Sequence, residues 1–121
     1  MNANMHRQEL LDLYSEKPNY GILSSKTHEI SINNPACSDI ILLQLEIKND
    51  KIFDAKFSGE TCLISTVSAG VLLEKIKGMK IEDALKIKKE DIDKLLGLEV
   101  IATRVKCELL ALEALKKLFS K

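Results

Sequence analysis

The sequence predicts an α+β fold: a three-stranded antiparallel sheet packed against helices, with the helices concentrated in the C-terminal half. Three observations predict it. Two neighbouring segments, Ile40 to Lys48 and Ile52 to Ser58, alternate apolar and polar residues with the period of a strand, and only a short polar connection separates them. From Thr61 onward the apolar residues recur at helical spacing instead. Strands first and helices after is the order of an α+β fold rather than of alternating βα units.

The elements follow in chain order. His6 to Ser15 carries Leu10, Leu11, Leu13 and Tyr14 among polar residues, the pattern of a short amphipathic helix that Pro18 stops. Asn19 to Ser25, marked by Gly21, is a turn-rich crossing. His28 to Ile32, with Ile30 and Ile32 on one side, supplies the third strand. In the next strand Ile41, Leu43, Leu45 and Ile47 share one face, with Gln44 and Glu46 on the other; after it Phe53, Ala55 and Phe57 alternate with Asp54 and Lys56. The connection Lys48-Asn49-Asp50-Lys51 makes this pair an antiparallel hairpin, and a sheet with one wet face needs helices on the other. Thr61 to Lys77 spaces Leu63, Ile64, Val67, Val71, Leu72 and Ile76 as a helix, and Gly78 ends it. Ile81 to Leu85 and Glu90 to Leu96 are shorter helices with acidic residues early, the second closed by Gly97. Lys106 to Phe119 carries the clearest stripe, Leu110, Ala111, Ala114, Leu115 and Leu118, opposite Glu113, Lys116 and Lys117.

A chain of 121 residues suits one hydrophobic core, and no internal repeat or linker divides it, so residues 1–121 read as a single domain. Eighteen basic residues balance eighteen acidic ones, Trp is absent, and there are only three Phe and two Tyr. That composition offers neither a field to attract nucleic acid or anionic lipid nor a platform for stacking bases. No apolar run reaches the roughly 18 residues of a membrane span, and a cytoplasmic protein is expected. In that reducing compartment the three cysteines act as ligands, nucleophiles or small buried apolar residues rather than as a disulfide framework.

All three cysteines fall at joints between elements. Cys37 lies in the loop before a strand, Cys62 at the first turn of the central helix, and Cys107 at the opening of the last helix. A scaffold can bring such joints together, and the wide spacing requires that the fold, not a local turn, close any shared site. Exposed N–H groups at a helix start favour a thiolate at Cys62, and at Cys107 together with the charges of Arg104 and Lys106. A third thiolate at Cys37 would raise the negative charge until a cation was needed to hold the cluster. Asp39 can swing back from the same loop as an oxygen ligand, and three sulfurs with one carboxylate oxygen satisfy tetrahedral zinc. The residues alone equally allow a packed Cys62 and Cys107 and an Asp39 that only caps a turn. Ser65, Thr66 and Ser68 read as packing residues or as donors to the carbonyl four residues back. His6 and His28 read as surface residues, and Lys86, Lys88 and Lys89 as a solvated face.

Three ordered segments carry a family resemblance: Asn34-Pro35-Ala36-Cys37-Ser38-Asp39, Phe57-Ser58-Gly59-Glu60-Thr61-Cys62-Leu63-Ile64-Ser65 and Arg104-Val105-Lys106-Cys107. They resemble the cysteine motifs of the SufU, IscU and NifU N-terminal family of iron-sulfur cluster assembly proteins, with SufU the closer likeness. IscU-type scaffolds generally have a histidine immediately before the last cysteine, where this chain has Lys106. The family's glycine between the first cysteine and the aspartate is Ser38 here, and Ala84 to Glu99 is too short for the insertion usual in SufU.

The resemblance implies a SufU/IscU-like fold and a zinc ion held by Cys37, Asp39, Cys62 and Cys107. It implies a SufS-like cysteine desulfurase as partner and sulfurtransferase chemistry in which Cys37 accepts persulfide sulfur. Apo iron-sulfur proteins or downstream assembly proteins would be the recipients, with no nucleic acid and no membrane involved. The alternative it implies is a scaffold that assembles a transient 2Fe-2S cluster on the same four ligands.

Overall fold

The computed structural model describes residues 3–34 and 39–120. Its elements are α1 (Ala3–Glu16), β1 (His28–Asn34), β2 (Asp39–Lys48), β3 (Lys51–Glu60), α2 (Leu63–Ile76), α3 (Ile81–Ala84), α4 (Lys89–Leu96), a 3-10 turn (Ala102–Arg104), α5 (Val105–Glu108) and α6 (Leu110–Leu118). The strands form one antiparallel sheet in the order β1-β2-β3, and the helices gather in the second half as the sequence predicts. No helix among the described residues is long and apolar enough to cross a membrane.

The period of two is realised in β2 and at Ala55 and Phe57 of β3, but Phe53, expected on the same face, is 61% exposed, because the register shifts between Glu46 and Ile47 and Ile52 turns inward in its place. Ile41, Leu43 and Leu45 of β2, with Ile52, Ala55 and Phe57 of β3, are fully buried against Val67, Leu72, Leu73 and Ile76 of α2 and Leu110 and Leu115 of α6. Asn49 and Asp50 both take positive φ, 53° and 63°, which is the two-residue connection that matches strand twist in a hairpin. Lys48 therefore pairs with Lys51. α4 starts with Lys88 N–H donating to Asp91 Oδ2 at 2.9 Å and ends at Gly97, whose φ of 76° suits a residue without a side chain.

Two further features depart from the expected layout. The face of β2 that carries Gln44 and Glu46 is not wet, because the segment from Asn19 to Thr27 crosses it. Gly21 N–H donates to Phe57 O at 2.8 Å on the outer edge of β3, and Thr27 N–H donates to Leu45 O at 2.8 Å on the other side. Between those anchors Leu23 N–H donates to Gln44 Oε1 at 2.9 Å and Ser25 Oγ donates to Glu46 Oε1 at 2.8 Å, so both side chains are buried with partners. The last helix is also interrupted: Leu109, with φ −92° and ψ 0°, separates α5 from α6. Neither Gly nor Pro stands there, so the apolar stripe runs through the break unmarked.

One glycine decides how the sheet ends. At Gly59 φ is +119°, and a Cβ there would lie 2.1 Å from the Ile40 carbonyl oxygen. Only a residue without Cβ lets the end of β3 close on the start of β2, which turns the chain toward α2 beside Asp39. Tyr20 Oη donates to the Gly59 carbonyl at 3.0 Å and holds this corner from outside. Gly59→Ala is expected to cost at least about 2 kcal/mol, since backbone strain and the clash act together. Denaturant unfolding of the two proteins side by side measures it.

Candidate metal centre

Asp39, Cys62 and Cys107 meet at one end of the sheet. Each comes from a different element, and one ligand atom from each lies within 4.8 Å of the others. Asp39 is the first residue of β2, paired with Asn34 of β1 and 5% exposed. It therefore does not swing on a loop as the sequence suggested; the strand extends one residue further than its apolar pattern and fixes it. Cys62 is the N-cap of α2, half-buried, with extended backbone (φ −73°, ψ 175°). Cys107 is buried in α5. Cys37 lies outside the described residues.

The first turn of α2 organises this cluster. Cys62 N–H donates to Asp39 Oδ1 at 3.1 Å, and Ser65 N–H points at Cys62 Sγ from 3.4 Å. The carboxylate of one candidate ligand thus answers an orphan donor of the helix N-terminus, and the sulfur of another acts as the cap. Thr61 Oγ1 and Thr66 Oγ1, 2.6 Å apart, brace the turn that leads into the helix. The capping role considered for Asp39 is real, and it coexists with a place among the converging ligand atoms.

The donors fit a tetrahedral ion. Two sulfurs bound to one zinc stand about 3.8 Å apart, given bonds of about 2.3 Å, so atoms within 4.8 Å of one another need only a small closure. A carboxylate and two thiols in one buried corner also explain the titration of Cys62. Burial pushes its thiol above the ordinary value, and the hydrogen bond with Cys107 and the charge of Asp39 push the same way. The Ser65 hydroxyl and N–H pull downward and are outweighed. The helix start does not make Cys62 a ready thiolate, contrary to the reading from position alone. Burial wins, with Cys107 and Asp39 adding to it, and a bound cation is what would reverse the balance.

Cys107 does not open a long helix; it follows a 3-10 turn and sits inside a helix of four residues. Arg104 and Lys106 are exposed. His28 is exposed too, its ring 5.6 Å from that of Phe119 and away from the cluster. The side chain of His6 lies outside the description.

Two groups near the site escaped the sequence reading. Ser65 is 2% exposed and does not bond the carbonyl four residues back; it reaches Asp39 and Cys107. Glu108, next to Cys107, is fully buried, and neither of its carboxylate oxygens has a hydrogen-bond partner among the described residues. Lys89 Nζ stands 3.6 Å from Glu108 Oε1 and 2.7 Å from Asp93 Oδ2, so of the three lysines read as a solvated face only Lys86 and Lys88 belong to one. The spacing of Lys89 to Asp93 suited a helical pair, but no pattern announces a carboxylate turned inward.

Burial pushes Glu108 up to about 7, neighbouring Asp93 adds to the rise, and Lys89 partly offsets it. Folded protein therefore keeps a proton that unfolded chain loses between the ordinary value of 4.5 and about 7. Stability of the metal-free protein falls as pH rises through that window and is lowest above it. At about 1.4 kcal/mol per unit the change is on the order of 3 kcal/mol. Denaturant unfolding at pH 5 and pH 8 checks it: Glu108→Gln is expected to lose much less stability than the parent between those two values.

The family described as NifU-like N terminal domain matches residues 5–121. The chain belongs to this family. It is 35% identical to the "Zinc-dependent sulfurtransferase SufU" of Bacillus subtilis, over 96% of this chain and 92% of that protein. It is also 35% identical to the "Iron-sulfur cluster assembly scaffold protein IscU" of Rickettsia prowazekii, over 92% and 86%. A crystal structure of a "Putative iron-sulfur cluster assembly scaffold protein for SUF system" from Fervidobacterium islandicum superposes with a TM-score of 0.80 at 25% identity, covering 98% of this chain and all of that one. The N-terminal NifU-like protein of Brucella abortus shares the fold, with a TM-score of 0.73 at 13% identity. This member of the NifU-like family is an iron-sulfur cluster assembly protein related to the SufU-type sulfur-handling proteins. Its cluster of two cysteines and an aspartate gives it the capacity to bind metal.

Proposed function

We propose that this protein accepts persulfide sulfur from a cysteine desulfurase and carries it toward iron-sulfur cluster assembly, with zinc held by Asp39, Cys62, Cys107 and Cys37. The observation that carries the reading is the convergence of the first three on one point. Cys37 is two residues from Asp39 in the chain, a span of at most about 7 Å, which keeps its sulfur within reach of the same corner. Lys106, exposed before Cys107, stands where IscU-type scaffolds have a histidine, so the set holds three sulfurs and an oxygen and lacks that imidazole. The chain works as one domain in the cytoplasm, and its acceptors are apo iron-sulfur proteins or downstream assembly proteins.

The chemistry is an exchange between sulfurs. The thiolate of Cys37 attacks the outer sulfur of the desulfurase persulfide, a new sulfur-sulfur bond forms, and the old one breaks. The desulfurase cysteine leaves as a thiolate, and the persulfide proton stays on the transferred sulfur. Bound zinc supplies charge that keeps the thiols of the site ionised and shields them from oxidation. Asp39 is the weakest donor of the set, and the backbone N–H of Cys62 holds it in place. Cys62 and Cys107, on helices, stay fixed while Cys37 reacts.

The scaffold reading, in which the same residues hold a transient 2Fe-2S cluster as cargo, has one observation in its favour. The alignment with the Bacillus protein runs to 136 residues against a chain of 121, whereas that with the Rickettsia IscU takes 115. The Bacillus sulfurtransferase thus carries residues that have no counterpart here.

Protein purified without oxygen decides between the two. Colourless protein with one zinc that stimulates desulfurase turnover is the expected result, and Cys37→Ser should remove the stimulation while zinc is retained. Brown protein whose cluster passes to an apo-acceptor, or full stimulation by zinc-loaded Cys37→Ser, would reject sulfur transfer.

A further inference from the structure

Ser65 touches all three described ligand residues of the metal centre, Asp39 and Cys62 at a donor atom and Cys107 at its backbone carbonyl. It lies three residues after Cys62 on α2, so both side chains share one face of the first turn. Its Oγ is 2.5 Å from Asp39 Oδ2, 3.2 Å from the Cys107 carbonyl oxygen and 3.4 Å from Cys62 Sγ. A hydroxyl has one proton to give and two lone pairs to receive with. The separations assign the proton: 2.5 Å is the length of a hydroxyl bonded to a carboxylate, whereas 3.2 Å is long for any O–H donor. Cys62, while it is a thiol, donates to the same oxygen.

Asp39 is then held at both oxygens by one helical turn, Oδ1 by the N–H of Cys62 and Oδ2 by the hydroxyl of Ser65. Two bonds to two oxygens stop the carboxylate from rotating about its own axis. The Ser65 bond is the one that fixes Oδ2 relative to the point where the sulfurs converge.

We propose that Ser65 is the positioning residue of the centre, its hydroxyl clamping the Asp39 carboxylate so that the fourth donor meets the metal in one orientation. This rests on the reading above that Asp39 is a metal ligand. Ser65 is no ligand itself: its proton is committed to Asp39, and it acts through the residue it holds. Partners of this kind orient metal-binding side chains, and losing one weakens metal binding by about 10- to 100-fold.

The test uses cobalt as a spectroscopic substitute for zinc in the full chain, read by the absorption of the bound ion and by competition with a chelator. Ser65→Ala is expected to weaken cobalt binding about 10- to 100-fold and to change the visible bands that report the oxygen donor. Ser65→Thr, which restores a hydroxyl, should recover most of the affinity. The decisive arm repeats Ser65→Ala in an Asp39→Ala background, where a residue acting through Asp39 has nothing left to position and the affinity should not fall further. An equal loss in both backgrounds, or an unchanged affinity in Ser65→Ala alone, overturns the proposal while the metal site stands. A parent protein that takes up no cobalt overturns the metal site and the proposal with it. Should Ser65→Ala fail to fold, Ser65→Gly, which also removes the hydroxyl, gives the same comparison in both backgrounds, with coupling to Asp39 expected and additive effects contrary to it.

Discussion

The bond between the first residue of β2 and the first turn of α2 joins the sheet to the helices at the corner where Asp39, Cys62 and Cys107 meet. Asp39 gives its carboxylate to the N–H of Cys62, and that N–H would otherwise be an unsatisfied donor at a helix end. Three other features among the described residues serve the same approach. Gly59 lets β3 close on β2, Tyr20 holds the corner from outside, and the paired threonines at 61 and 66 brace the entry to the helix. A helix cap and a candidate ligand set are one arrangement here, so the energy that orders the fold also orders the site.

That economy has a cost. Placing a carboxylate beside two thiols in a buried corner drives the Cys62 thiol away from the ionised form that binds metal or attacks sulfur. Helix N–H groups reduce the penalty without removing it. A cation entering this corner must therefore displace the Cys62 proton, which makes metal uptake depend on pH and favours it as pH rises.

Most of the architecture was legible in the sequence because its signals are local. The alternation at Ile41, Leu43 and Leu45 fixed the buried face of β2, and Asn49-Asp50 fixed the hairpin. The family motifs named Asp39, Cys62 and Cys107, and the fold joins those three. What escaped depends on contacts between distant segments. Gln44 and Glu46 alternate as solvent-facing residues should, and only the crossing chain from Asn19 to Thr27 buries them. Glu108 lies in a helical stretch where nothing local tells an inward carboxylate from an outward one. Ser65 belongs to a run of small polar residues with no spacing to distinguish it, and its importance appears only once β2 and α5 are placed against it.

The segment that crosses the sheet carries one more implication. With α2 and α6 packed on one side and residues 19–27 laid across the other, the middle of the sheet is closed above and below. The half-buried Cys62 therefore opens toward the end of the strands, at the rim where β2 begins and β3 ends, and not through either face of the sheet.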